Sequence, residues 1–176
     1  EYLRCDKNFT AYCTICAYLH DIGKMFIPAK ILNKPDKLTD EEFAIMKTHT
    51  LIGYKMCMDD IKLRPYALGP KYHHETLDGM GYPEGLVGNL IPYEDQIIKV
   101  ADDYDALVTK RQYKTHIHIS DTLKDLIKDT EPNIKVAALD NAAQGVKLGK
   151  LNKKVVKALF KVVIDDTYYE ISCVTG

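Results

Sequence analysis

Six side chains in this sequence have the chemistry to hold metal and act on a phosphate: His20, Asp21, His49, His73, His74 and Asp102. Imidazole mixed with carboxylate suits iron, manganese, zinc and similar divalent ions. Six ligands are too many for one catalytic zinc and fit a two-metal site. Two neighbouring ions can share a hydroxide nucleophile formed near neutral pH and stabilise a phosphoryl transition state. The obvious chemistry is phosphodiester hydrolysis. Lys24, Arg111 and Lys114 add cations for phosphate oxygens, Arg as a fork and Lys as a point charge.

The densest stretch is residues 73–86, HHETLDGMGYPEGL. Adjacent imidazoles on a helix point about 100° apart. They converge on one metal only where the helix is ending, or serve two metals lying close together. Asp78-Gly79 and Gly81-Tyr82-Pro83 supply such an end, since Gly accepts positive φ and Pro cannot continue a helix. The expectation is helix, paired ligands, then a rigid exposed loop of the kind that carries binding residues.

The positioning elements read as helices. In residues 6–22, Phe9, Cys13, Cys16 and His20 share one face, and Gly23 follows as the expected C-terminal breaker. His20 and Asp21 then sit at the inner end of a buried helix. Residues 25–37 are a connector marked by Pro28 and Pro35. Thr39 and Glu42 form a capping box for the next helix, whose core-facing stripe runs Phe43, Met46, His49, Gly53, Met56. Alone, His49 reads as a packed histidine; beside the others it reads as a ligand. Residues 63–72 form a short helix into His73-His74. Pro92 opens another, with Ile98, Asp102, Asp105 and Thr109 on one side. An inward carboxylate at Asp102 needs a cation. The basic run 110–114 fits a helix C-terminus and a phosphate site equally well.

Residues 120–129 are an amphipathic helix, and 131–150 read as two short helices. Residues 151–163 form a basic amphipathic helix of ordinary stripe width, which packs rather than binds a membrane. Residues 167–174 are β-prone and expected as a short terminal strand. His116-Ile117-His118 alternates like an exposed strand or linker. The lone Cys13–Cys16 pair reads as two small apolar residues, with no second pair to complete a zinc site.

Length favours one domain, 1–176. The start at Glu1 suggests a piece of a longer protein. A net charge of −1 gives no bulk argument for DNA or RNA. No apolar run is long enough for a membrane span. Five cysteines without a framework suggest reduced thiols and a cytoplasmic setting.

Residues 19–114 resemble the HD-GYP family, a branch of the HD-domain metal-dependent phosphohydrolases. The matching runs are LHDIGK at 19–24, ILNKP at 31–35, HHETLDGMGYP at 73–83 and VADDYDAL at 100–107. The resemblance implies an all-α, HD-type helical bundle whose core is 19–114, with 115–176 as a helical extension. It implies two divalent ions, iron or manganese, and hydrolysis of cyclic di-GMP to pGpG or GMP, or of cyclic GMP-AMP. By position, Asp21 resembles a bridging carboxylate, and His20, His49, His73, His74 and Asp102 the other ligands. Lys24 resembles a catalytic lysine; Arg111, Lys114 and Asp105 fall where substrate is gripped. Gly81-Tyr82-Pro83 resembles a loop that meets GGDEF-domain proteins, and a homodimer is a further expectation. The family carries a further His, and sometimes a Glu, on a preceding helix; none of the nineteen residues before His20 is His, so that helix is expected either to have been cut away or to be naturally missing. A non-catalytic module binding nucleotide or a GGDEF partner, and a general HD nucleotidase, stay open as alternatives.

Overall fold

The computed structural model describes residues 2–112, 119–132 and 148–175, with side chains described except at 110–112, 119 and 167–175. The chain is helical, and among the described residues no strand forms. It runs α1 (Lys7–Leu19), a 3-10 turn (Ile22–Phe26), α2 (Ala29–Leu32), α3 (Asp40–Lys47), α4 (His49–Asp59), a 3-10 turn (Arg64–Tyr66) and α5 (Leu68–Tyr72). A 3-10 turn (Gly88–Leu90), α6 (Tyr93–Gln112), α7 (Ile119–Lys128) and α8 (Lys153–Thr175) complete it.

Local signals set the starts of α1 and α3. Asp6 caps α1 by accepting from the Phe9 N–H at 2.8 Å. The Thr39–Glu42 capping box forms as expected, with both reciprocal bonds present. The expected single helix through Phe43 and His49 is instead two. Thr48 turns the chain between α3 and α4, and its hydroxyl donates to the Ile45 carbonyl at 2.6 Å. His49 therefore begins a helix, while Phe43 stands exposed rather than core-facing. The connector also carries a turn of helix, α2, with Ile31 buried.

Two packing units result. Val100, Leu126, Leu151, Val155 and Val156 form an apolar core between α6, α7 and α8, so the basic helix packs inward as expected. The other half sets α1 against α5 and α6, and α4 against α5 and the turn Ile22–Phe26. Gly23 is not the left-handed breaker expected. A Cβ there would lie 2.0 Å from the His49 carbonyl oxygen and 2.7 Å from the Gly53 nitrogen. Its role is to let the Asp21-bearing turn touch α4.

The expected strand at 167–174 is overturned: those residues continue α8. Local β preference is a weak prior, and extending an existing helix adds one hydrogen bond per residue with no new nucleus. The helices expected within 131–150 and the His116–His118 alternation lie outside the described residues, apart from the ends of the former. Cys13 and Cys16 are free thiols, pushed up to about 11 and about 12 chiefly by burial, as suits inert packing residues.

Candidate metal centre

Five of the ligand-type side chains arrive at helix ends, and Asp102 projects from the middle of α6. His20 is the C-cap of α1 and Asp21 precedes the turn Ile22–Phe26. His49 opens α4, and His73 is the C-cap of α5 with His74 just beyond it. The ending helix resolves the problem of the adjacent imidazoles: both face the same point. Ligand atoms of Asp21, His49, His73 and His74 all lie within 4.8 Å of one another.

Backbone carbonyls fix three of the rings. Nδ1 of His20 donates to Ala17 at 2.6 Å, Nδ1 of His49 to Met46 at 2.7 Å, and Nδ1 of His73 to Pro70 at 3.0 Å. A carbonyl accepts only, so each Nδ1 carries a proton and, whenever the ring is neutral, each Nε2 presents a lone pair. Those lone pairs point at Asp21. Oδ1 of Asp21 lies 3.5 Å from His49 Nε2 and 3.7 Å from His73 Nε2. Oδ2 lies 3.2 Å from His20 Nε2 and 2.5 Å from Lys24 Nζ. His20 Nε2 is in turn 3.9 Å from Asp102 Oδ1. The two Asp21 oxygens thus face two ligand groups, one of His49, His73 and His74, the other of His20 and Asp102.

The donor set fits divalent metal on its own geometry. Oδ1 of Asp21 is buried without a hydrogen-bond partner, and the nitrogens around it are acceptors too. Such a convergence of lone pairs is repulsive until a cation occupies it. Burial pulls His49 and His74 below the usual imidazole value, with His73 adding to the effect, so both are neutral and in the ligating form. Burial pushes the Asp21 carboxyl up, but His20, His73 and Lys24 outweigh it and hold the group far below the carboxylate range. Burial also opposes charge on His20, and the hydrogen bond with Asp21 outweighs it, leaving that ring above its usual value.

The Gly-Tyr-Pro loop is not freely exposed as expected; it walls the centre. Tyr82 stacks on His74 with centroids 4.7 Å apart and 22° between planes. A Cβ on Gly81 would lie 2.4 Å from the Thr76 nitrogen, so only Gly lets the loop lie against the His74–Thr76 backbone. Glu75 holds the loop, and sequence reasoning gave it no role. Its carboxylate, 2 % exposed, accepts from the N–H groups of Glu84 at 2.7 Å, Gly85 at 3.1 Å and Leu86 at 2.9 Å. Lys71 adds a salt bridge to Glu84 at 2.5 Å. An acidic residue directly before a loop rich in glycine N–H groups was the available signal.

Asp105 stands exposed on α6, one turn beyond Asp102, and is not one of the four residues whose ligand atoms group together. Lys114 and the side chain of Arg111 lie outside the described residues.

Comparison with known proteins identifies the family. Residues 1–133 match the HD domain family. The "Cyclic di-GMP phosphodiesterase response regulator RpfG" of Xanthomonas campestris is 47% identical over 102 residues, covering 57% of this chain and 27% of that protein. A "Cyclic di-GMP phosphodiesterase" of Thermotoga maritima is 41% identical over 129 residues, covering 72% and 35%. The "3'3'-cGAMP-specific phosphodiesterase 2" of Vibrio cholerae is 43% identical over 99 residues, covering 54% and 19%. The chain spans about a third or less of the length of these relatives. A solved HDG"Y"P protein from Bdellovibrio bacteriovorus shares the fold, with a TM-score of 0.65 and 23% identity over 90% of this chain and 45% of that one. The chain belongs to the HD domain family, and its run from His73 to Pro83 is that of the HD-GYP branch.

Proposed function

We propose that this chain is a metal-dependent phosphodiesterase that hydrolyses a cyclic dinucleotide, cyclic di-GMP first, to pGpG or GMP. One observation carries the reading: Asp21 turns each of its oxygens toward a separate ligand group. Oδ1 with His49, His73 and His74 would hold one divalent ion. Oδ2 with His20 and Asp102 would hold a second. Iron or manganese suits this imidazole–carboxylate mixture. Bound there, the ions supply Lewis acidity, which lowers the pKa of a water and neutralises phosphate oxygens.

The chain's own residues do the rest. Lys24, paired with Asp21 and about a third exposed, holds an ammonium at the edge of the cluster where a phosphate oxygen must arrive. Tyr82 covers His74 and excludes water from that side. Arg111, Lys114 and Asp105 remain substrate-gripping proposals from the resemblance. A GGDEF-domain partner would meet the loop at its exposed Met80. The names of the relatives support the substrate class, cyclic di-GMP and cyclic GMP-AMP.

The test is turnover of cyclic di-GMP by protein purified without oxygen and loaded with ferrous iron or manganese, with products separated by chromatography. Release of pGpG or GMP, abolished by Asp21→Ala, is the expected result. Metal-replete protein that binds cyclic di-GMP and leaves it intact would make the chain a binding module instead.

A further inference from the structure

Beside the metal centre lies a strip of rings that hydrolysis itself does not require. Tyr82 stacks on His74, and Phe43 meets Tyr82 edge-on with centroids 6.2 Å apart and 84° between planes. The Phe43 ring is 45% exposed, on a helix that buries none of its own residues. Lys47, one turn along α3, holds its ammonium 5.3 Å from the Phe43 centroid and 5.9 Å from the Tyr82 centroid. No carboxylate among the described residues pairs with it. A long lysine stem lying over rings can be simple surface packing. Here, however, imidazole ligand, phenol, ammonium and phenyl follow one another outward from the place where phosphate must bind.

We propose that Phe43 and Lys47 form the subsite for one guanine base of the substrate, the base stacking on Phe43 and the Lys47 ammonium donating to its O6 and N7. The inference rests on the cyclic dinucleotide reading above. A phosphate held at the ligand cluster leaves its attached nucleoside on the rim, where this strip begins. Every base has a π face, so Phe43 supplies affinity without choice. Lys has three donors and no acceptor, which complements the two acceptors of guanine and opposes the amino group of adenine. The subsite accepts cyclic di-GMP and cyclic GMP-AMP alike, since each carries a guanine, and disfavours cyclic di-AMP.

The test measures binding of cyclic di-GMP and cyclic di-AMP, both with phosphorothioate linkages to block turnover, to metal-loaded wild type, Phe43→Ala and Lys47→Met. Wild type should prefer cyclic di-GMP. Phe43→Ala should weaken both ligands on the order of tenfold. Lys47→Met should weaken cyclic di-GMP on the order of tenfold and leave cyclic di-AMP unchanged, removing the preference. Metal content should match wild type in both variants, which separates the subsite from damage to the ligand cluster. Variants that bind as wild type does, or a Lys47→Met that weakens both ligands equally, overturn the subsite while the hydrolase reading stands. Metal-loaded wild type that binds neither ligand overturns that reading and the subsite with it.

Discussion

Nε2 of His49 lies 3.2 Å from Nε2 of His73, and neither nitrogen has a proton to offer the other. Each ring has committed its Nδ1 proton to a backbone carbonyl, Met46 for one and Pro70 for the other. Asp21 Oδ1 adds a third acceptor facing the same point. The folded chain therefore assembles charge that only a cation relieves, and metal binding should be coupled to stability. Stripping the protein with a chelator should lower the thermal midpoint by several degrees. Restoring manganese at about a hundredfold above its dissociation constant should recover roughly 3 kcal/mol. Identical melting curves with and without metal would show that the cluster is a structural core and no ligand set.

Asp21 and Asp102 should differ in what their loss does to metal content. Asp21 touches both ligand groups, through separate oxygens, whereas Asp102 approaches only His20. Asp21→Ala should empty both positions. Asp102→Ala should leave one ion held by His49, His73, His74 and Asp21. Metal analysis per chain reads the difference directly. Equal loss in the two variants would remove the bridging role from Asp21.

Glu75 should matter more to the loop than to the metal. Its buried carboxylate satisfies three backbone N–H groups of residues 84–86. Truncation to Ala removes all three bonds, about 1 kcal/mol for each, since water can reach donors on a loop that is only partly buried. Glu75→Gln keeps the shape and one or two of the bonds, so its cost should be smaller. Because the loop carries Tyr82 against His74, the expected kinetic signature is a raised KM with metal content retained. An unfolding midpoint unchanged in Glu75→Ala would show the clamp to be dispensable.

The convergence of the candidate ligands was legible in the sequence because chemistry and punctuation coincide there. His20-Asp21 and His73-His74 stand where a helix must stop, and stopping is what lets neighbouring side chains converge. What stayed hidden depends on distant partners. Gly23 looked like a helix terminator, yet its reason is the His49 carbonyl on another helix. No Gly or Pro marks the turn at Thr48, so a single helix was the natural expectation across α3 and α4. Residues 167–174 favour strand by composition, and α8 overrides that preference by continuing. Glu75 gives only a weak local sign, an acid before a glycine-rich loop, because its three bonds close only when the loop folds back.

Asp95 should make stability fall as pH rises. The side chain is fully buried in the first turn of α6, and neither oxygen has a hydrogen-bond partner. Burial, reinforced by Glu94, pushes its carboxyl up to about 9. In the unfolded chain the same group ionises near 4, as aspartates ordinarily do (about 3.9). Between those values the unfolded state loses its proton while the folded state keeps it, so each step up in pH favours unfolding. Below the lower value both states are protonated and the penalty vanishes. Asp95→Asn is neutral at every pH and of the same shape, so any cost of its amide is constant. Relative to that variant, wild type should lose on the order of 1 kcal/mol per pH unit across the window. Denaturant unfolding of both proteins from pH 5 to pH 8 reads the gap. Parallel stability curves would mean that Asp95 finds a partner or water when folded and titrates as an ordinary carboxylate.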